Sequence, residues 1–422
     1  MTDRRQKPAF LECSALLCLV AALSLFAVGQ RPPQSPPTRS ASPAGSQPAS
    51  PTVHRSDPYT RSGYDHFYNM DYDAAVKDFE LAFKAQPDDP FAAYHLLTAV
   101  LFREMNRMGL IDPSAYANDT FINQPHRPPD PKVQARINEL VRTAFALSEK
   151  RLAANPNDTS ALYARGATRG LRSTYTALVE RSWFAALRSA VGARRDNERV
   201  LELDPQYTDA KMVVGIHNYV IGSLPLAVKV AASMVGLGGS KSRGIDYLYE
   251  VANHGGDASV DAKVALALFL RREKRFDEAL KLVRSLSQSY PRNFVFAIEE
   301  PDLLRLAGND QAAADQYRNL YQQGKAGRFP NGHYELAALN LGEVLRKRKD
   351  YQGAADAYNL VDQVPQPDPE IQQKANLAAG EMYDLLQKRE LAVKKYQAVV
   401  AENSASPPAD AARKHIREAY RE

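Results

Sequence analysis

The sequence predicts an all-α solenoid of about eight helix pairs closed by a C-terminal capping helix, and three observations predict it. Apolar residues recur at helical spacing through paired segments of about 34 residues. Small residues return in phase where the two helices of a pair would touch. Proline follows the second helix of several pairs, where it stops the helix from continuing.

The clearest unit spans 260–293. It carries Ala267 on its first helix, then Phe276, Ala279, Val283 and Leu286 on its second, and Pro291 closes it. The next unit repeats the frame with Pro301, Leu304, Gly308, Ala313, Tyr317 and Leu320. Two more follow, with Gly342, Leu345, Tyr351, Ala354 and Tyr358, then with Gly380, Tyr383, Ala392, Tyr396 and Val399. Upstream, Gly63, Tyr72, Ala75, Phe79, Ala82 and Pro87 fit the same pattern. Gly or Ala on each helix lets two backbones approach closely, and the aromatic four residues after the alanine fills the remaining gap. Helices at 90–105 and 133–155 make a second unit, split by an insertion at about 108–132. A third runs from Thr159 to Pro205, and a fourth pairs 208–222 with 244–256. The charged stretch Ala409–Glu422 suits the polar cap that a helix stack needs at its open end. The folded repeat domain is thus expected over 59–422.

These positions resemble the tetratricopeptide repeat. The resemblance implies a right-handed superhelix whose groove is lined by the first helix (helix A) of each pair, on the face turned from the second (helix B), and which binds proteins or peptides. The middle, from Tyr207 through Gly215, Tyr219 and Gly236–Gly239 to Gly244, is loosely similar to the inclusion-body-clearance family of tetratricopeptide proteins. That similarity implies at most an adaptor role.

Arg4, Arg5 and Lys7 precede an apolar run from Leu11 to Val28, and Ala27-Val28-Gly29 supplies small residues for signal-peptide cleavage. Residues 1–29 are therefore expected to be a signal peptide or an N-terminal membrane anchor, with a Pro/Ser-rich tether over 30–58. Either reading puts the rest outside the cytoplasm, in a periplasm or cell envelope, or secreted. Both cysteines, Cys13 and Cys18, lie in this segment. Glu12 and Leu17 precede them instead of the small residue that a lipid-attachment motif requires, so a cleaved product would hold no cysteine for a disulfide or a zinc site.

The 422 residues carry 54 basic and 49 acidic side chains, a formal charge of +5, so bulk electrostatics lend no support to nucleic-acid binding. The 8 histidines are scattered without metal-ligand spacing. No cofactor, metal or catalytic set is expected: the run MVGLGGSKS at 234–242 lacks the contiguous Gly-Lys-Ser of a phosphate-binding loop and reads as a turn. Leu224–Leu237 is unusually apolar and is expected to be an extra buried helix within 223–243, with a greasy binding surface or a membrane-touching hairpin as the alternative. Glu299, Glu300 and Asp302 read as a solvated acidic face.

The site expectation comes from aligning helix A of the C-terminal units. Asp302, Glu343 and Glu381 share one position, and Ile298, Leu339 and Leu377 precede them. Arg305 and Arg346 follow the first two, with Arg271 in the same place one unit earlier. Stacked side by side, they would form acidic, apolar and basic rows suited to a charged peptide with hydrophobic anchors. The Lys and Asn pattern that clamps a C-terminal carboxylate is not evident. The expected function is an exported, non-catalytic scaffold for a protein or peptide partner; the alternative is an extracytoplasmic carrier enclosing a hydrophobic small molecule or lipid.

Overall fold

The computed structural model describes residues 57–111, 127–226, 229–230 and 238–422. The expected signal or anchor segment, the tether up to residue 56, the body of the 108–132 insertion and most of the apolar run 224–237 lie outside the described residues. The described residues divide into two compact units, one ending at Glu273 and the other formed by Tyr68–Met70 with Lys274–Glu422.

In the first unit, α1 (Pro58–Tyr68) and α2 (Tyr72–Ala85) are followed by α3 (Pro90–Arg107) and α4 (Pro131–Ala154). Then come α5 (Thr159–Leu178), α6 (Trp183–Leu203), α7 (Lys211–Ser223), α8 (Lys241–His254) and α9 (Ser259–Arg272). The second unit holds α10 (Phe276–Ser289), α11 (Phe294–Leu306), α12 (Asp310–Lys325), α13 (Glu335–Lys347) and α14 (Tyr351–Asn359). It continues with α15 (Pro369–Leu385), α16 (Arg389–Glu402) and α17 (Pro407–Arg417). The described residues are thus an all-α solenoid of seventeen consecutive helices.

Local sequence explains where helices begin. Asp89, Asp130 and Asp368 cap α3, α4 and α15, each accepting from main-chain N–H groups of the first turn. A proline follows each at the first helical position, where its missing N–H costs nothing.

Packing explains the repeated small residues. Ala75, Ala279, Ala313, Ala354 and Ala392 are all fully buried. A Cβ placed on Gly63 would lie 2.6 Å from the Phe79 ring, one on Gly342 2.3 Å from the Tyr358 ring, and one on Gly380 2.5 Å from the Tyr396 ring. In these three pairs the aromatic of helix B therefore lies directly over a glycine of helix A, a clasp that any side chain on the glycine would prise open.

The turn that follows helix A repeats at five places too. Met70, Lys274, Gly308, Lys349 and Gln387 all have positive φ, between 59° and 83°. In the last turn of helix A, the carbonyls of His66, Leu304, Leu345 and Tyr383 accept from the N–H groups of Asp71, Asn309, Asp350 and Lys388. This 6→1 bond satisfies a carbonyl that the helix end would otherwise leave open.

Among the described residues, no helix is long and apolar enough to cross a membrane.

Candidate functional site

The second unit places the expected rows unevenly. On α11, Ile298 and Asp302 are buried. Asp302 accepts from the Tyr317 hydroxyl of α12 and from Asn340 Nδ2 of α13 at 3.4 Å, and Arg305 Nη2 stands 3.9 Å away. On α13, Leu339 is half-buried and Glu343 is exposed. The Tyr358 hydroxyl donates to Glu343 Oε1 at 2.8 Å. On α15, Leu377 packs against the cluster of Ala392, Tyr396, Val399, Ala409 and Ala412. Glu299 of the neighbouring acidic cluster is buried, and Glu300 accepts from Arg284 at 2.8 Å. Arg271, in the first unit, is buried on α9.

The charged residues that come together across two neighbouring A helices are Arg346 of α13 and Glu381 of α15. Arg346 Nη1 donates to Glu381 Oε2 at 2.7 Å, with side chains only 23% and 13% exposed. Burial pushes the Glu381 carboxyl above its usual range, against the downward pull of Arg346. This pair joins adjacent repeats at the C-terminal ends of their A helices.

The pattern of the sequence did not reveal what lies beside it. The helix expected over the last charged stretch stops at Arg417, and Glu418 leads in an extended conformation into residues 419–422, which lie without regular structure against α13 and α15. Tyr420 N–H donates to Asp384 Oδ2 at 2.8 Å. Asp384 has no exposed side-chain surface and also accepts from Arg389 and from the Tyr396 hydroxyl, each at 2.9 Å. Arg346 Nη2 donates to the Tyr420 hydroxyl at 2.8 Å while its guanidinium lies 5.5 Å from the centre of that ring. His415 meets the same ring edge-on at 5.3 Å, and the Tyr351 hydroxyl donates to Glu422 at 2.9 Å. Neither Asp384 nor Tyr420 stood out in the sequence, because nothing local marks a contact 36 residues apart.

The first unit holds a different arrangement. Asp196 of α6 is 4% exposed and lies between Arg165 Nη2 and Arg169 Nη1 of α5, each at 2.6 Å. Burial pushes its carboxyl up, and the two arginines pull it down. Arg165 also reaches Glu149 of α4 at 2.7 Å. His217 of α7 contacts Arg194 of α6 at 2.5 Å and the Gly238 carbonyl at 3.0 Å. Burial, then the Arg194 charge, lower its pKa to about 3, so the ring is neutral.

The glycine-rich run ends as a helix start. Ser240 caps α8 by accepting from Arg243 N–H at 3.4 Å, and Gly239 lies so close to α7 that a Cβ would meet Ile221 at 2.5 Å. Of the apolar segment, Leu224 is buried, whereas Leu226 and Val230 are 78% and 45% exposed. Among the described residues, no cluster of His, Cys, Asp and Glu could hold a metal ion.

The repeated clasp and turn define a helical-repeat protein of the tetratricopeptide type. No family model and no curated protein matches the chain. Solved structures are similar to it. A human IFIT1 dimer with m7Gppp-AAAA is 13% identical, covering 85% of this chain and 80% of that one at a TM-score of 0.37. Yeast Tom70 is 12% identical over 86% of this chain and 90% of its own, also at 0.37. PilF of Pseudomonas aeruginosa is 15% identical over 53% of this chain and 88% of its own, at 0.32. At such scores these similarities carry nothing about what this chain binds. The likeness of the middle region to the inclusion-body-clearance family rests only on the residues that suggested it.

Proposed function

We propose that the chain is a non-catalytic scaffold, exported from the cytoplasm, whose second unit binds a protein partner as an extended peptide across the A helices α11, α13 and α15. The observation that carries this reading is the Arg346–Glu381 pair, which spans two neighbouring A helices and stays partly open to solvent beside the exposed Glu343. Half-buried Leu339 and Leu377 stand one turn before Glu343 and Glu381, so apolar and charged contacts alternate along the same stretch. An extended ligand crossing successive A helices would meet this alternation in register. Export is supported by the basic start, apolar run and small-residue cleavage site of residues 1–29.

The test is affinity capture from a native envelope extract with the full chain, with Glu343→Lys and Glu381→Lys introduced together. Partner recovery is expected to fall about tenfold, the equivalent of ~1.4 kcal/mol. Glu390→Lys, on the exposed N-terminal turn of α16, serves as the control and is expected to leave recovery unchanged. Equal loss in both variants would overturn the assignment of the surface.

A further inference from the structure

We propose that the recess between α13, α15 and α17 is a binding site for an extended peptide bearing a tyrosine and, two residues on, a carboxylate, and that residues 418–422 of this chain are its resident, displaceable occupant. The inference rests on the scaffold reading above and names the peptide chemistry and its regulation.

The bound segment reads Glu-Ala-Tyr-Arg-Glu. Its recognition has three separate parts. A fully buried carboxylate, Asp384, accepts the main-chain N–H of Tyr420 at 2.8 Å, which holds an extended backbone whatever its side chains. The tyrosine is read at both ends: its ring lies under the Arg346 guanidinium and against His415, and its hydroxyl accepts from Arg346 at 2.8 Å. Two residues later Glu422 accepts from Tyr351 at 2.9 Å and stands 3.9 Å from Arg346. The period of two between the residues that are read is that of an extended chain, in which alternate side chains share a face. The intervening Arg421 is exposed.

The geometry also makes the occupant removable. Residues 421 and 422 are exposed, and Ala419 and Tyr420 are only half-buried, so the segment covers little apolar surface. When it leaves, the polar groups beneath keep their partners. Asp384 retains Arg389 and Tyr396, and Arg346 retains Glu381. Opening therefore strands no buried charge, which is the usual large cost of exposing such a site. Segments with few apolar contacts belong to the low-stability end of a fold and open locally without global unfolding. A partner with the same chemistry would compete with the tail, and its apparent affinity would fall by the fraction of molecules whose site is closed.

The probe is a fluorescein-labelled synthetic peptide of residues 416–422 titrated into the full-length protein. Tyr420→Ala with Glu422→Ala, which removes both anchors and keeps the backbone, is expected to bind the probe about tenfold tighter than the unaltered protein. Deletion of 418–422 is expected to act at least as strongly. Adding Arg346→Ala to the double variant is expected to abolish binding, whereas adding Arg318→Ala, on the exposed face of α12, leaves it unchanged. Hydrogen exchange gives a readout independent of the variants: the Tyr420 amide is expected to exchange far faster than the central amides of α15. Equal affinity in the unaltered and double-variant proteins, insensitivity to Arg346→Ala, or a Tyr420 amide protected like the helix core would each overturn the proposal. If the probe fails but partner capture still depends on Glu343 and Glu381, the tail inference falls and the scaffold reading stands. If the probe behaves as expected and capture does not, only the scaffold reading falls.

Discussion

The repeats of the second unit and the middle of the first both put glycine where two helices meet, but for opposite purposes. In α13–α14 and α15–α16 the glycine makes room for a ring, with Tyr358 over Gly342 and Tyr396 over Gly380. In α7–α8 it makes room for backbone: a Cβ on Gly244 would lie 2.4 Å from Tyr219 N and 2.6 Å from the Gly215 carbonyl oxygen. The charges differ in parallel. Second-unit carboxylates of helix A, Asp302 and Glu343, accept from tyrosine hydroxyls of helix B. Asp196 of the first unit instead sits between two arginines. One spacing rule thus serves two kinds of contact, one filled by side chains that can adjust and one fixed by main chain and ions that cannot.

Removing the ion cluster is the most forceful way to test that difference. Asp196→Ala leaves Arg165 and Arg169 facing each other half-buried, and a loss of about 3 kcal/mol is expected, since stripping one partner from a buried pair strands the others. Urea unfolding, followed by hydrogen exchange of α5 and α6 amides, measures it. A loss below about 1 kcal/mol would mean the cluster is solvated and the contrast with the tyrosine–carboxylate pairs false.

The two glycine uses separate at a smaller scale. Gly244→Ala is expected to cost about 3 kcal/mol, because both facing atoms are main chain and overpacking there must move a helix. Gly342→Ala is expected to cost roughly half as much, because the Tyr358 ring can tilt and alanine favours a helix interior by about 1 kcal/mol. Thermal unfolding of the pair decides it, and an equal or larger loss for Gly342→Ala would erase the distinction between ring and backbone.

The smallest effect has the opposite sign. Lys349 turns α13 into α14 at φ 62°, a left-handed conformation that costs an L side chain about 1–2 kcal/mol. Lys349→Gly relieves it and forfeits about 0.5–1 kcal/mol of chain entropy, so a net gain of about 0.5 kcal/mol is expected, seen as a raised Tm. A loss instead would show that the Lys349 side chain contributes more than its backbone costs.

The turn also marks the limit of what the sequence reveals. Its position is occupied by Met70, Lys274, Gly308, Lys349 and Gln387, of which only Gly308 announces a positive φ. Of the other four, Met70, Lys349 and Gln387 are held left-handed by the capping bond that closes the turn. The division of the described residues into two units is equally silent, since it falls at Glu273 within an uninterrupted repeat spacing. At the candidate site, the alignment of A helices set Arg346 and Glu381 in neighbouring rows, and the structure pairs them. That alignment could not tell that Ile298 and Asp302 of the same rows are buried, because burial depends on what the neighbouring helices present and not on register alone.

What the sequence by itself determined is the all-α repeat: where helices start, which face each buries, and where a small residue must stand. Those features are local consequences of side-chain size and spacing, so Ala354 or Gly380 can be read without knowing the partner that packs on it. Tertiary structure alone decided that Asp196 is clasped by two arginines, that Asp384 holds the backbone of Tyr420, and that Arg346 is shared between a neighbouring helix and the tail. Long charged side chains can reach many partners from one backbone position, and only the assembled fold selects which of them lies within hydrogen-bonding distance.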